Sequence, residues 1–482
     1  MAGVAFAVVI AILFGLSPGS ETVGIAWGAP TLLETHWSFA HRIDLAMDSS
    51  GRAIAVWEQV GETGDPWADA WASVFIPGTG WGAATQLDTD PGGNAYRVRV
   101  AMDGLGNAFA VWLQDYNPTG ESGTDLWASR FEPSTGWGVA KRLAVGAWPA
   151  LVAADAGGGA IVAWTDDAPS FDLWVRHFSL VGGWGDTIRL ADHPYPAYPV
   201  DLAMTPSGDA MVFWENYDGA RYNIFASRYV ASVGWEASEP VENDDAPYPV
   251  EVRGGSLAMD DGGRALATWR VGENMTVTHW ANSFLPGMGW GTPVALAPTL
   301  LGNESFARVS MSPSGNGTAV WLQHELSRPE VWAARYTPGV GWDPPEIIGT
   351  GSAGTPSIAM DDDGNGVAVW ADQDAWANWY EAGVGWGVAQ MIDREAGVVN
   401  EITVAMKGLG DPAAVWAQWD DTSYSVFGAV GSVRSPHPFE MATSAPPARG
   451  DVVVRFGNDR PRSSPASTLP AISGLGLHLP CA

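Results

Sequence analysis

The sequence predicts an all-β fold in which one four-stranded antiparallel sheet is repeated around a ring, and three observations predict it. A unit of the form A-M-D-x-x-G-x-A-x-A-V-W, then W-A-S-R-F, then G-W-G-x-A-x-x-L recurs every ~50 residues. Inside each unit the side chains alternate with a period of two, the signature of a strand. Each unit also contains four apolar segments separated by turns rich in glycine and aspartate. Radial repetition of four-stranded sheets is the sequence description of a β-propeller.

The first strand of a unit ends on a Met-like anchor: Met47, Met102, Ala154, Met204, Met259, Met311, Met360 and Met406. A short hairpin such as Asp103-Gly104-Leu105-Gly106 follows. The second strand carries the central tryptophan: Trp57, Trp112, Trp164, Trp214, Trp269, Trp321, Trp370 or Trp416. In Asn107 to Gln114, Ala108, Ala110, Trp112 and Gln114 fall on one face and Phe109, Val111 and Leu113 on the other. A strand apolar on both faces belongs to sheets packed face to face. The third strand opens on Trp71, Trp127, Trp174, Trp280, Trp332 or Trp376. The fourth opens on Trp81, Trp137, Trp184, Trp235, Trp290, Trp342 or Trp386 and has an aliphatic residue six positions later. For the second unit the strands are expected near 97–102, 107–113, 126–132 and 137–144.

Eight units are present, but the eighth lacks a Trp-led fourth strand, while an orphan of that kind, Trp27 to Leu33, precedes the first. The chain is therefore expected to form eight blades over 25–431, the N-terminal strand pairing with the last blade and closing the ring. Seven blades plus an irregular unit is the competing arrangement. Residues 1–24 contain an apolar stretch, Ala2 to Leu16, too short to span a bilayer and read as a signal-peptide core, although no Lys or Arg precedes Arg42. A secreted or extracytoplasmic location is the corresponding expectation. Residues 432–482 read as a flexible tail containing Pro, Ser and Arg.

With 54 acidic against 24 basic residues, the formal charge is -30, which argues against a nucleic-acid partner. The only cysteine, Cys481, precludes an intrachain disulfide. No transmembrane span is expected, and a monomer is. The sequence contains no G-x-S-x-G elbow, H-E-x-x-H pair or P-loop, so no catalytic residue is assigned. No cofactor is expected. Asp361, Asp363 and Asn365 alternate as the oxygen ligands of a calcium loop do, but the remaining ligands of such a loop are absent and no metal residue is assigned.

Between units the strand 1–2 and strand 3–4 turns keep their lengths, whereas the strand 2–3 and strand 4–1 connections vary. In a meander the two variable sets emerge on one face, where function usually resides. Aromatic residues outside the ladder concentrate there: Trp37, Trp67, Trp148 and Trp419, with Tyr96, Tyr116, Tyr198, Tyr217 and Tyr248. They are read as stacking platforms for a glycan or peptide, against the plainer reading that they cover loop backbones. A polar residue two positions past the central Trp (Gln59, Gln114, Asp166, Asn216, Gln323, Asp372, Gln418) suggests either a ring around the mouth or a structural hydrogen bond. Arg99 and Arg308, with Asp44 and Asp201 at the same place in other units, point toward the axis or form salt bridges between blades.

The tryptophan ladder resembles the Trp-rich repeat propellers of secreted bacterial proteins, a group similar in architecture to sialidases and several propeller lectins. The resemblance covers 25–431 and implies architecture alone. The sialidase-type Asp-box, S-x-D-x-G-x-x-W, is not matched, since Trp here comes six residues after the turn glycine, as from Gly51 to Trp57. No arginine triad can be assigned. Diverging loops also argue against equivalent sugar sites in every blade. The expected function is non-enzymatic recognition of a glycan or peptide on the variable face, with an adhesive scaffold, or a polysaccharide hydrolase or lyase, as alternatives.

Overall fold

A computed structural model describes residues 24–434, apart from 35–38, 61–66, 89–92, 117–122, 168–170, 192–194, 243–250, 274–275, 298–299, 302–304, 326–327, 352, 395–396, 409 and 420–422. The leader and nearly all of the tail lie outside the described residues. No helix occurs among those described, so none is present that is long and apolar enough to cross a membrane.

Eight antiparallel sheets form an eight-bladed β-propeller within the compact unit Gly24–Val433. The innermost strands, in blade order, are Ala40–Met47, Gly93–Met102, Ala147–Ala154, Ala197–Met204, Glu251–Met259, Arg308–Met311, Ala353–Met360 and Val398–Ala405. Blade 2 shows the pattern: Gly93–Met102 pairs with Ala108–Tyr116, which pairs with Thr124–Glu132, and the fourth strand comes in two pieces, Gly136–Trp137 and Lys141–Ala144. The inner three strands thus run further toward the variable face than the apolar pattern alone predicts. The N-terminal strand closes the ring: Thr31 and Leu32 pair with Gly428 and Phe427, and Gly28 and Leu33 donate to the carbonyls of Val430 and Val426 at 2.9 Å.

The two apolar faces of the second strand have distinct partners. Ala108, Ala110 and Trp112 pack on Ile54 and Val56 of blade 1, whereas Val111 and Leu113 receive Trp164 of blade 3. The same direction holds around the ring, and Trp57 of blade 1 packs on Ala413, Val415 and Ala417 of blade 8. Alanine on the Trp face lets the neighbouring sheet approach the indole. Within the blade, the central Trp lies directly across from the Trp of strand 3, as in Trp112 opposite Trp127. The closing Trp packs on the aromatic that ends strand 3, from Phe75–Trp81 at 5.4 Å to Tyr380–Trp386 at 5.4 Å, a contact worth ~1 kcal/mol beyond burial.

The uniform face is held by a repeated cap. Asp103 Oδ1 accepts from the amides of Leu105 and Asn107 at 2.8 Å, and Asp48, Asp155, Asp260 and Asp361 repeat the arrangement. At the axis, three residues before each anchor, the ring reads Asp44, Arg99, Leu151, Asp201, Ser256, Arg308, Ser357 and Thr403. Asp44 accepts from the Val100 amide of blade 2 at 3.0 Å, and Asp201 accepts from Ser256 Oγ at 3.0 Å and the Leu257 amide at 2.8 Å in blade 5. Of the two alternatives, pointing to the axis is the one seen, and no salt bridge forms at these positions among the described residues: the carboxylates accept chiefly from main chain, because the next inner strand presents its N–H groups to them.

Candidate functional site

Seven inner strands carry a register shift just above this ring, where the chain turns from the axis toward the variable face. In blades 1 and 2 the residue at the bulge is an arginine with a left-handed backbone, Arg42 at φ 51 and Arg97 at φ 55. A side chain there costs about 1–2 kcal/mol relative to an ordinary conformation. Carboxylates from the preceding blade hold both: the Arg42 amide donates to Glu401 Oε2 at 2.7 Å and the Arg97 amide to Glu58 Oε1. Glu215 serves the Gly254 amide of blade 5 in the same way at 3.0 Å. Backbone strain on non-glycine residues concentrates where a site must aim particular side chains.

Beside these bulges a cavity of about 470 Å³ opens among blades 1, 2 and 3, lined by His41, Arg42, Glu58, Val60, Ala68, Asn94, Tyr96, Asp115 and Trp148. Trp148 is 37% exposed, and the Arg97 guanidinium lies 4.0 Å from the centre of its ring. The Tyr96 ring packs against Trp148 with centroids 5.8 Å apart. Its hydroxyl bonds Asp115 Oδ1 at 2.9 Å and Thr124 Oγ1 at 2.8 Å. Burial pushes the Tyr96 phenol up to about 12, so it stays protonated and keeps donating to Asp115. Burial also raises Glu58 and lowers His41, the latter aided by the Arg42 charge. Arg42 Nη1 and His41 Nε2 each lie 3.5 Å from the Glu58 carboxylate. The pocket thus joins an aromatic plate to an imidazole, a guanidinium, an amide and two carboxyl groups.

Two of the expected ligand residues, Tyr96 and Trp148, are brought together here. The other aromatics form separate clusters. Trp419 stacks on Phe39 at 5.8 Å and meets Tyr424 at 5.0 Å, between blades 8 and 1. Tyr217 contacts Tyr195 at 5.6 Å and Tyr222 at 5.1 Å, and Arg253 caps Tyr222 at 3.8 Å. Tyr198 is half-buried nearby, its phenol raised by burial. Trp67 is exposed just before the third strand of blade 1, Ala68–Ile76. Tyr116 ends its strand opposite Gly93, and its side chain is outside the described residues, as are Trp37 and Tyr248 altogether.

The polar residues past the central Trp face inward rather than around a mouth. Gln59, Gln114, Gln323 and Gln418 are buried, and each accepts the indole N–H of its own Trp, at 2.9, 3.1, 2.9 and 3.1 Å. Asp166 accepts instead from Trp174 Nε1 at 3.0 Å and the Asp172 amide at 2.6 Å, and Asn216 donates to the Tyr195 and Pro196 carbonyls. Asp372 is half-buried at the end of its strand. At the candidate calcium position, Asp361 Oδ1 takes the Asp363 and Asn365 amides and Oδ2 the Asn365 side chain at 2.8 Å, so both oxygens already have protein donors. No group of three or more metal-ligating side chains gathers among the described residues.

Sequence reasoning did not single out Arg42, Arg97, Glu58, His41 or Asp115. Glu58 left one signal, a carboxylate beside a central Trp that is repeated only at Glu215.

No protein-family model and no curated protein matches the chain, so the narrower resemblance to Trp-rich repeat proteins gains no support beyond shared architecture. Among solved structures, a Dyadobacter fermentans protein of unknown function is similar at 11% identity and a TM-score of 0.44, over 85% of this chain and 100% of that one. An α-L-arabinofuranosidase from Fusarium graminearum is similar at 12% identity and a TM-score of 0.39, over 64% and 97% of the two chains. The NanB sialidase of Streptococcus pneumoniae is similar at 10% identity and a TM-score of 0.37, over 83% and 70%. The likeness extends to the propeller fold and no further.

Proposed function

We propose that this protein is a non-catalytic recognition module that binds a glycan in the pocket shared by blades 1, 2 and 3. The observation that carries the reading is the exposed Trp148 plate, braced by Arg97 and Tyr96 and facing a rim of planar polar side chains. A sugar ring presents C–H groups to an aromatic face and hydroxyls to amide, carboxylate and guanidinium groups, which is the composition found here. A protein secreted to meet such ligands fits this reading.

A glycan hydrolase is a second reading, favoured by Glu58 and Asp115 lining one cavity with Glu58 raised by burial. Binding is preferred because the Glu58 carboxylate already holds the Arg97 amide, and Asp115 the Tyr96 hydroxyl. Screening a glycan array and then titrating the best hit calorimetrically tests the proposal. Trp148→Ala is expected to weaken binding tenfold or more, about 1.4 kcal/mol, without lowering the melting temperature. Unchanged affinity in that variant would sink the assignment, and turnover of the hit that is lost in Glu58→Gln would favour the hydrolase.

A further inference from the structure

The axis of the ring holds a second cavity, of about 660 Å³, lined by inner strands of all eight blades. Its walls are polar, and its charges are unevenly satisfied. Its three carboxylates, Asp44, Asp201 and Glu401, are tied to main-chain amides, and Asp201 also to Ser256. Arg99 and Arg308 face the same cavity but have neither a carboxylate within 4.0 Å nor a hydrogen-bonded partner among the described residues. Other arginines of this chain, such as Arg142, Arg189 and Arg228, do have such carboxylates, at 3.0, 2.8 and 2.7 Å. Two guanidiniums with no carboxylate within 4.0 Å among the described residues are conspicuous in a protein whose formal charge is -30.

Their placement is also specific. Arg99 belongs to the second blade and Arg308 to the sixth, so in an eightfold ring they approach the axis from opposite sides. Asp44 lines the same cavity, and the charges of both arginines oppose the rise that burial causes in its pKa. The guanidinium fork matches carboxylate and phosphate oxygens in pairs. Thr355 and Thr403 add hydroxyls to the wall between them. A volume of this size accommodates a small metabolite and excludes a polymer.

We propose that the axial cavity is a binding site, separate from the glycan pocket, for a small organic anion with at least two oxyanionic groups held between Arg99 and Arg308. Opposed cations select a ligand that carries charge at both ends, and the hydroxyls select one with further polar groups.

The test is calorimetric titration of the full chain at low ionic strength with pyrophosphate, with citrate, and with glucose as the uncharged control. Saturable one-to-one binding of pyrophosphate or citrate but not glucose is expected, weakened at least tenfold in Arg99→Gln and in Arg308→Gln and by added salt. Binding of pyrophosphate alone assigns a phosphorylated ligand, and binding of citrate alone a polycarboxylate. Should either variant fail to fold, the wild-type chain is treated with phenylglyoxal, and protection of Arg99 and Arg308 by the bound anion is mapped by mass spectrometry. Absence of saturable anion binding, undiminished binding in both variants, or equal modification with and without anion overturns the proposal. Glycan binding is titrated independently, so the failure of one site leaves the other standing.

Discussion

Gln323 shows at the level of a single side chain how the ladder is tuned. Its amide oxygen receives the Trp321 indole N–H at 2.9 Å where no water reaches. A buried donor left without an acceptor costs ~1–3 kcal/mol. Gln323→Leu is therefore expected to lower unfolding free energy by about that amount in urea titrations, with little change in the m-value. The spacing of two between Trp and Gln was visible in the sequence, but its direction was not. Alternation put both on one face, and only the neighbouring blade's closeness decides that this face is sealed. Trp148 and Tyr96 illustrate the opposite limit. Each was legible as an aromatic outside the ladder, yet their meeting depends on a bulge at Arg97, which no local pattern announces.

At the level of the blade, the third and fourth strands pair charges in two ways. In blades 2 and 3 the aspartate two residues before the strand-3 Trp faces an arginine, Asp125 with Arg142 and Asp172 with Arg189. In blade 1 the arginine position is Gln86, and a second acid, Asp88, is buried beside Asp69. Burial, then repulsion from Asp69, pushes Asp88 up to about 7. Blade 7 repeats this with Asp393, pushed up to about 6 by burial and Asp374. Between the unfolded carboxylate value near 4 and these folded values, the folded protein binds more protons than the unfolded chain, so stability falls as pH rises through that window. Asp88→Asn is expected to remove part of the slope, gaining ~1–3 kcal/mol on wild type near pH 8 and little below pH 4, as read from urea midpoints. The repeat made the strands legible, whereas the exchange of Arg for Gln at one strand-4 position carries no periodic signal.

Across the molecule, ring closure rests on a few residues far apart in sequence. Leu33 is 3% exposed in the core between blades 8 and 1, and its amide completes the pairing with Tyr424–Arg434. Deleting 24–33 leaves that strand as an open edge. The expected result is a lower melting temperature and concentration-dependent association in light scattering. A monomer of unchanged stability would show that the ring holds without its clasp. The blade count and the offset that supplies the clasp were readable from the orphan Trp27 to Leu33 segment, because both are properties of the repeat. The axial ring was readable in the same way, since its residues share one repeat position, but the contents of the pocket were not, since it gathers residues from three blades that no periodicity relates.

The one-way packing of the central tryptophans also bears on how the protein is made. Each of these indoles after the first can bury itself on a blade already synthesised, but Trp57 must wait for Ala413, Val415 and Ala417, which follow it by about 360 residues. At about 5–20 residues per second that is a delay of roughly 20–70 seconds. Through that interval the nascent chain carries an apolar face with no native partner, a natural landing place for a chaperone. The first blade synthesised is then among the last to become fully native.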